Sequence, residues 1–87
     1  EQKFSLIWIE GEISNLSSPS SGHLYFTLKD EKSQVRCALF KARRRQIELN
    51  PENGNAVLIR ARVTLYEGRS EFQLIVEQIE PAGEGRL

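Results

Sequence analysis

The chain has 87 residues, with 12 Lys+Arg against 12 Asp+Glu, one His, one Cys and 39% hydrophobic residues, which suits one small domain with one modest core and excludes a multidomain enzyme for this segment. The single cysteine, Cys37, rules out an intrachain disulfide, and no Cys/His cluster is present to make a structural zinc site. No apolar run approaches the ~20 residues of a membrane helix and the opening EQKF is no signal peptide, so a cytoplasmic protein without cofactor or membrane contact is expected.

Period-2 patterning dominates the chain. From Phe4 to Ile13, Ile7, Ile9, Gly11 and Ile13 alternate with Trp8, Glu10 and Glu12, which predicts a long half-buried strand, and Gly11 within it predicts a bend or bulge. Residues Asn15 to Gly22 are a polar, Ser-rich loop. A second strand, His23 to Lys29, sets Leu24, Phe26 and Leu28 against His23, Tyr25, Thr27 and Lys29. After a tight turn at Asp30 to Ser33, a third strand from Gln34 to Phe40 should pair antiparallel with the second, with Val35, Cys37 and Leu39 on one side and Arg36, Ala38 and Phe40 on the other.

Lys41 to Leu49 changes character. Helix-favouring residues with apolar positions at Ala42, Ile47 and Leu49 predict a short amphipathic helix, ended by Asn50 to Gly54. The fourth strand, Ala56 to Tyr66, places Val57, Ile59, Ala61, Val63 and Leu65 inside and Arg60 and Arg62 outside. A hairpin turn at Glu67 to Ser70 leads into the fifth strand, Glu71 to Glu80, with Phe72, Leu74 and Val76 inward until Gln78 breaks the alternation. Five strands, a helix between the third and fourth, and a long loop after the first predict an all-β fold, a five-stranded Greek-key barrel of the OB type occupying residues 1–87 as one domain. An SH3-like barrel is the main rival, but its strands are shorter and it has no helix at that point.

Catalytic chemistry is thinly represented. Glu10 and Glu12 share a strand face without a second carboxylate cluster certain to meet them, His23 is the lone histidine, Cys37 points to the core, and the Gly-x-Gly of Gly83 and Gly85 opens no helix. Binding is better supported. Between Lys32 and Tyr66 there are eight basic and two acidic residues, 8 − 2 = +6, against −6 elsewhere, so a neutral chain can still carry one positive face. The outer face of the second and third strands, the usual ligand platform of such barrels, would present His23, Tyr25, Thr27, Arg36, Ala38 and Phe40. Tyr25 can stack on an unpaired base and Arg36 can neutralise a phosphate, while small Thr27 and Ala38 leave room for the base. Arg60 and Arg62 extend the track, and loop hydroxyls including Ser20 and Ser21 can donate to phosphate oxygens. Plainer roles stand beside these: Arg36 as the ion-pair partner of Glu10 or Glu12, Arg43, Arg44 and Arg45 as a solvated helix face, Trp8 as a packing residue, Phe40 as a plug at the barrel bottom and His23 as a surface histidine.

The stretches IWIEGEISN (7–15), SSGHLYFTLKD (20–30), QVRCALF (34–40) and PAGEG (81–85) resemble the N-terminal domain of the large subunit of bacterial exodeoxyribonuclease VII. The resemblance implies an OB-fold that grips single-stranded DNA and presents it to a catalytic domain beyond Leu87, in an enzyme of one large and several small subunits. It also implies that no catalytic residue lies in these 87, and that a helical segment normally preceding Phe4 is missing, which allows self-association through Trp8 or the first strand. The barrel also resembles the anticodon-binding domain of class II aminoacyl-tRNA synthetases, where the positions matching Tyr25 and Arg36 face the nucleotide. A tRNA reader needs base-discriminating polar groups, whereas this face offers stacking and charge. A subunit-docking role through Trp8 and the helix is the reading of another class.

Overall fold

The structure, a computed structural model, describes residues 6–66 and 71–82. The predicted turn at 67–70, Phe4 and the Gly83/Gly85 pair lie outside them. The described chain forms β1 (Leu6–Ser17), β2 (Leu24–Lys29), β3 (Gln34–Leu39), α1 (Lys41–Arg44), β4 (Ala56–Tyr66) and β5 (Glu71–Pro81). The strands close into a barrel in the order β1-β2-β3-β5-β4, with β1 pairing both β2 and β4 and with β3 and β5 parallel. This is the architecture that the alternation and the helix position predict. Closure leaves the core residues Ile13, Leu24, Phe26, Leu28, Cys37, Leu39, Val57, Ile59, Ala61, Leu74, Val76 and Ile79 on one inner face, and it removes the free edges that so small a two-faced sheet would otherwise expose.

Several local expectations are corrected. Gly11 sits in unbroken register opposite Val57, so it is no bulge. A Cβ there would lie 2.8 Å from the Lys29 carbonyl oxygen and 2.9 Å from Leu28 Cγ, so the glycine is required by close approach of β1 to the end of β2. The irregularities fall elsewhere. One separates Ser14 from Ser17 and includes Asn15 at φ 54, a left-handed conformation that Asn tolerates better than most residues. β1 runs past the predicted Ile13 because this bulge turns it rather than ending it. The segment after α1 completes the coverage of β1: Gly54 N–H donates to the Ile13 carbonyl (2.8 Å), Ile13 N–H to the Asn55 carbonyl (3.0 Å) and Leu16 N–H to Asn53 Oδ1 (3.0 Å).

The second irregularity lies in the β4–β5 ladder, where Arg60 pairs with Gln78 but Ala61 pairs with Val76. Glu77 is the extra residue, and the inward set shifts from Val76 to Ile79. The break in alternation at Gln78 is the sequence trace of this bulge. Leu65 and Phe72, predicted inward, are 57% and 62% exposed. They face each other in register at the end of the hairpin, past the first described pair of β1 with β4, Leu6 with Arg62. The helix is also shorter than predicted. Phe40 at its N-cap offers no side-chain acceptor and the first turn has no acidic residue, so it lacks both usual N-terminal supports. It closes after one turn in i→i+3 bonds, Gln46 N–H to Arg43 and Ile47 N–H to Arg44, while Ile47 and Leu49 reach the core from an irregular segment.

Burial decides the chemistry of Cys37, which is 1% exposed. Desolvation pushes its thiol from 9.0 up to about 12, so at neutral pH it is neither a nucleophile nor a metal ligand. The sign of the linkage is direct: above pH 9 the unfolded chain ionises this thiol and the folded chain does not, so stability present below pH 9 is lost as pH rises toward 12. Urea melts at stepped alkaline pH should show a decline that Cys37→Ala reduces, by up to about 1.4 kcal/mol per pH unit. An identical decline in both proteins would contradict a buried, un-ionised thiol.

Candidate nucleic-acid interface

The outer face of β2 and β3 is set by the inner one. With Leu24, Phe26 and Leu28 locked in the core, Tyr25 and Thr27 must point outward, and the register brings Tyr25 opposite Ala38 and Thr27 opposite Arg36. Tyr25 and Arg36 are therefore diagonal neighbours, within reach for long side chains. Tyr25 is half-buried and Arg36 is exposed. Among the described residues no carboxylate pairs with Arg36, so the ion pair with Glu10 or Glu12 does not form. Ala38 departs from expectation: it is 1% exposed, covered in its row between Tyr25 and Ile75. It is a filled floor on this face and not an open space.

His23 continues this face toward α1. Its ring makes edge contacts with Tyr25 (centroids 6.4 Å apart) and Phe40 (5.1 Å), producing a line of three rings. His23 Nδ1 accepts a hydrogen bond from the Lys41 N–H at 3.0 Å, which assigns the ring proton to Nε2 in the neutral form. The histidine thus supplies the acceptor that Phe40 cannot. Phe40 is 41% exposed, at the platform's edge rather than in the core.

The Ser-rich loop is fastened to α1. Arg44 Nη1 donates to Ser18 Oγ (3.3 Å) and to the Gly22 carbonyl (3.2 Å), while Ser21 Oγ accepts from His23 N–H (3.3 Å). Ser20 and Ser21 are exposed beside the platform. Gly22 holds φ +92, and a Cβ there would meet Lys41 Cδ at 3.0 Å, so the entry to β2 depends on glycine. Of the three consecutive arginines, Arg44 serves this tether, and Arg43 and Arg45 are exposed. At the opposite end, Asp30 holds the β2–β3 turn by accepting from Lys32 N–H and Ser33 N–H, both at 2.9 Å, which keeps its carboxyl below the usual value.

Arg60 and Arg62 do lie outward on β4, but with company. Glu77 Oε2 is 3.0 Å from Arg62 Nε, and Glu77 Oε1 is 4.0 Å from Arg60 Nη2. The Arg60 guanidinium also stands 5.8 Å from the centre of the Trp8 ring. Glu77 was invisible as a partner in the sequence because only the bulge brings it there; the interrupted alternation at Gln78 was the available signal. No helix among the described residues is long and apolar enough to cross a membrane.

A family model described as "OB-fold nucleic acid binding domain" matches residues 1–80. The exodeoxyribonuclease 7 large subunit of Pectobacterium carotovorum subsp. carotovorum (strain PC1) is 58% identical over 87 residues, all of this chain and 19% of that protein. The protein of the same name from Hahella chejuensis (strain KCTC 2396) is 59% identical over 87 residues and is covered to 20%. The chain thus spans about a fifth of the length of these curated relatives. Among solved structures, a mitochondrial single-stranded DNA binding protein from S. cerevisiae superposes with a TM-score of 0.71 at 16% identity, covering 92% of this chain and 97% of that one. The S. pombe Stn1-ten1 complex gives 0.65 at 21% identity, over 91% and 59%; at such identities the likeness is one of fold. The barrel order and the match over residues 1–80 together place this chain in the family of OB-fold nucleic acid binding domains.

Proposed function

We propose that the outer face of β2 and β3 binds single-stranded DNA with little sequence preference, Tyr25 stacking on a base, Arg36 holding a phosphate, and His23, Thr27, Phe40, Ser20 and Ser21 bordering the strand. The observation that carries this reading is the pairing of a half-buried Tyr25, in edge contact with His23, with a diagonal Arg36 that has no carboxylate partner among the described residues. A tyrosine anchored at its base offers a ring face at low entropic cost, and a cation left exposed beside it is matched by a polyanion. The larger setting we propose is a cytoplasmic exodeoxyribonuclease in which this domain presents a single strand to a catalytic domain and meets the rest of the large subunit and a small subunit; of this, the relatives' name supports the nuclease and the large subunit.

The test is a titration of a fluorescent oligonucleotide as single-stranded DNA, as duplex and as RNA at two salt concentrations. Single strands should be preferred over duplex, with affinity falling by about 0.7 log units per log unit of salt for each phosphate held. Arg36→Ala should lower that slope by about one contact. Tighter binding to RNA than to DNA would favour an anticodon-type reader, and no binding at low salt would sink the proposal.

A further inference from the structure

The geometry points to a second stacking subsite for single-stranded DNA at Trp8, reached from the β2–β3 platform along the groove between α1 and the β4–β5 pair, with Glu77 holding the place of a phosphate until DNA arrives. This deepens the reading above and rests on it. The outward side chains form a row in register: Tyr25 opposite Ala38, Ala38 beside Ile75, Ile75 opposite Arg62, Arg62 opposite Leu6. Four strand spacings separate its ends, about 19 Å along the curved surface. Trp8 stands two residues from Leu6 on the same face of β1, and its partner in register is Arg60.

A groove of about 320 Å³ crosses this row, walled by Phe40, Arg43 and Gln46 on one side and by Arg62, Ile75 and Glu77 on the other. It begins where the line of three rings ends, at Phe40. Its lining alternates in the way a nucleotide does, with Phe40 and Ile75 as apolar surface for a base or sugar and with Arg43 and Arg62 as cations for phosphate. Beyond it Trp8 is 52% exposed, although a ring of this size on a small barrel is ordinarily mostly covered. Arg60 against the ring is the companion that favours base stacking, since a guanidinium and an indole together make an electrostatically matched sandwich.

Glu77 is the feature that argues for a regulated site rather than a plain surface. Its carboxylate reaches both Arg60 and Arg62 while remaining only 16% exposed. A carboxylate and a phosphate present similar oxygens to a guanidinium, so an incoming phosphate competes for the same donors. The contact lowers the affinity of the outer track without abolishing it, so that only a strand already held on the platform, at high effective concentration, takes it up.

The experiment compares oligothymidylates of about three nucleotides, too short to span the row at ~3.4 Å per stacked nucleotide, and of about twenty, beyond what one OB barrel holds, on the wild-type chain, Trp8→Ala, Trp8→Phe and Glu77→Gln. Trp8→Ala should leave the short oligomer's affinity within about twofold and weaken the long one about 5- to 100-fold, with Trp8→Phe restoring most of the loss. Glu77→Gln should strengthen the long oligomer several-fold and steepen its salt dependence by about 0.7. Unchanged long-oligomer binding by Trp8→Ala, with the short oligomer still bound, overturns the second subsite while sparing the platform, and would leave Trp8 to pack against another protein segment. Equal losses for both lengths, or weaker binding by Glu77→Gln, also overturn it. Failure of the wild-type chain to bind either length overturns the platform and the subsite together.

Discussion

Gly11→Val is expected to remove about 3 kcal/mol or more of a folding stability that for a chain of this size amounts to about 4–13 kcal/mol in all. Gly11→Ala is expected to lower the melting temperature by roughly 5–20 °C. Replacing glycine in a strand by a residue with a Cβ ordinarily helps, by ~0.5–1 kcal/mol, because glycine is the more disordered residue in the unfolded chain. Here the sign reverses because of what the Cβ meets. Leu28 Cγ, 2.9 Å away, belongs to a side chain that can rotate, but the Lys29 carbonyl oxygen at 2.8 Å is backbone. Moving it means separating β1 from β2 at Glu12 and Lys29, next to the Ile13–Leu28 pair that is buried from both sides. A thermal melt of Gly11→Ala followed by circular dichroism is decisive. A melting temperature equal to or above that of the parent would show that β1 and β2 do not approach as described.

The same glycine shows what was legible in the sequence and what was not. Strand faces were readable because each buried face imposes a period of two, and Leu24, Phe26 and Leu28 leave no freedom about where Tyr25 and Thr27 point. Barrel closure followed from five such strands with a helix after the third. Gly11 predicts a bend or bulge because a glycine within a strand signals either irregularity or close approach, and only the position of a strand distant in sequence distinguishes them. The bulges instead fall at Asn15 and Glu77, each just past the stretch where its strand also pairs with a second one, β1 with β4 up to Glu12 and β5 with β3 up to Ile75. Leu65 and Phe72 alternate correctly but lie past the end of the barrel, a length mismatch that a pattern in one strand does not contain. α1 is shorter than its pattern suggests for a related reason: Ile47 and Leu49 pack, partly buried, against the core, and their spacing fits a helix although tertiary packing holds them in irregular chain.

The site divides along the same line. Residue types and faces at Tyr25, Thr27 and Arg36 were fixed by alternation, whereas partnerships between side chains were not. His23 capping Lys41, Arg44 fastening the Ser-rich loop, and Glu77 between two arginines all join residues 17 or more positions apart or across a bulge. A +6 segment therefore overstates the free charge of the face: Arg60 and Arg62 share the carboxylate of Glu77, Arg44 keeps its charge but directs donors to Ser18 and Gly22, and Arg36, Arg43 and Arg45 remain exposed. Loss of affinity on replacing one of the engaged arginines would report positioning as much as phosphate contact.

Tyr25→Ala is expected to weaken single-stranded DNA binding by about 5- to 150-fold, the loss of one stacked base at ~1–3 kcal/mol, with little change in the salt dependence. The two readouts separate because they arise from different physics. Stacking displaces water from a ring and a base and involves no counterion, whereas each phosphate contact releases condensed ions and sets the slope. Arg36→Ala should therefore do the reverse, flattening the salt dependence while leaving the preference for unpaired strands. Tyr25 also covers Ala38, which is buried, so truncation will cost some folding stability as well, and an affinity loss alone does not establish stacking. Tyr25→Phe resolves this, since it retains the ring over Ala38 and against His23 and removes only the hydroxyl. Affinity near that of the parent in Tyr25→Phe, with a large loss in Tyr25→Ala measured well below its melting temperature, is the outcome that stacking requires. If Tyr25→Ala remains folded and binds as tightly as the parent, the ring is a cross-strand packing residue and the platform must be sought elsewhere on the barrel.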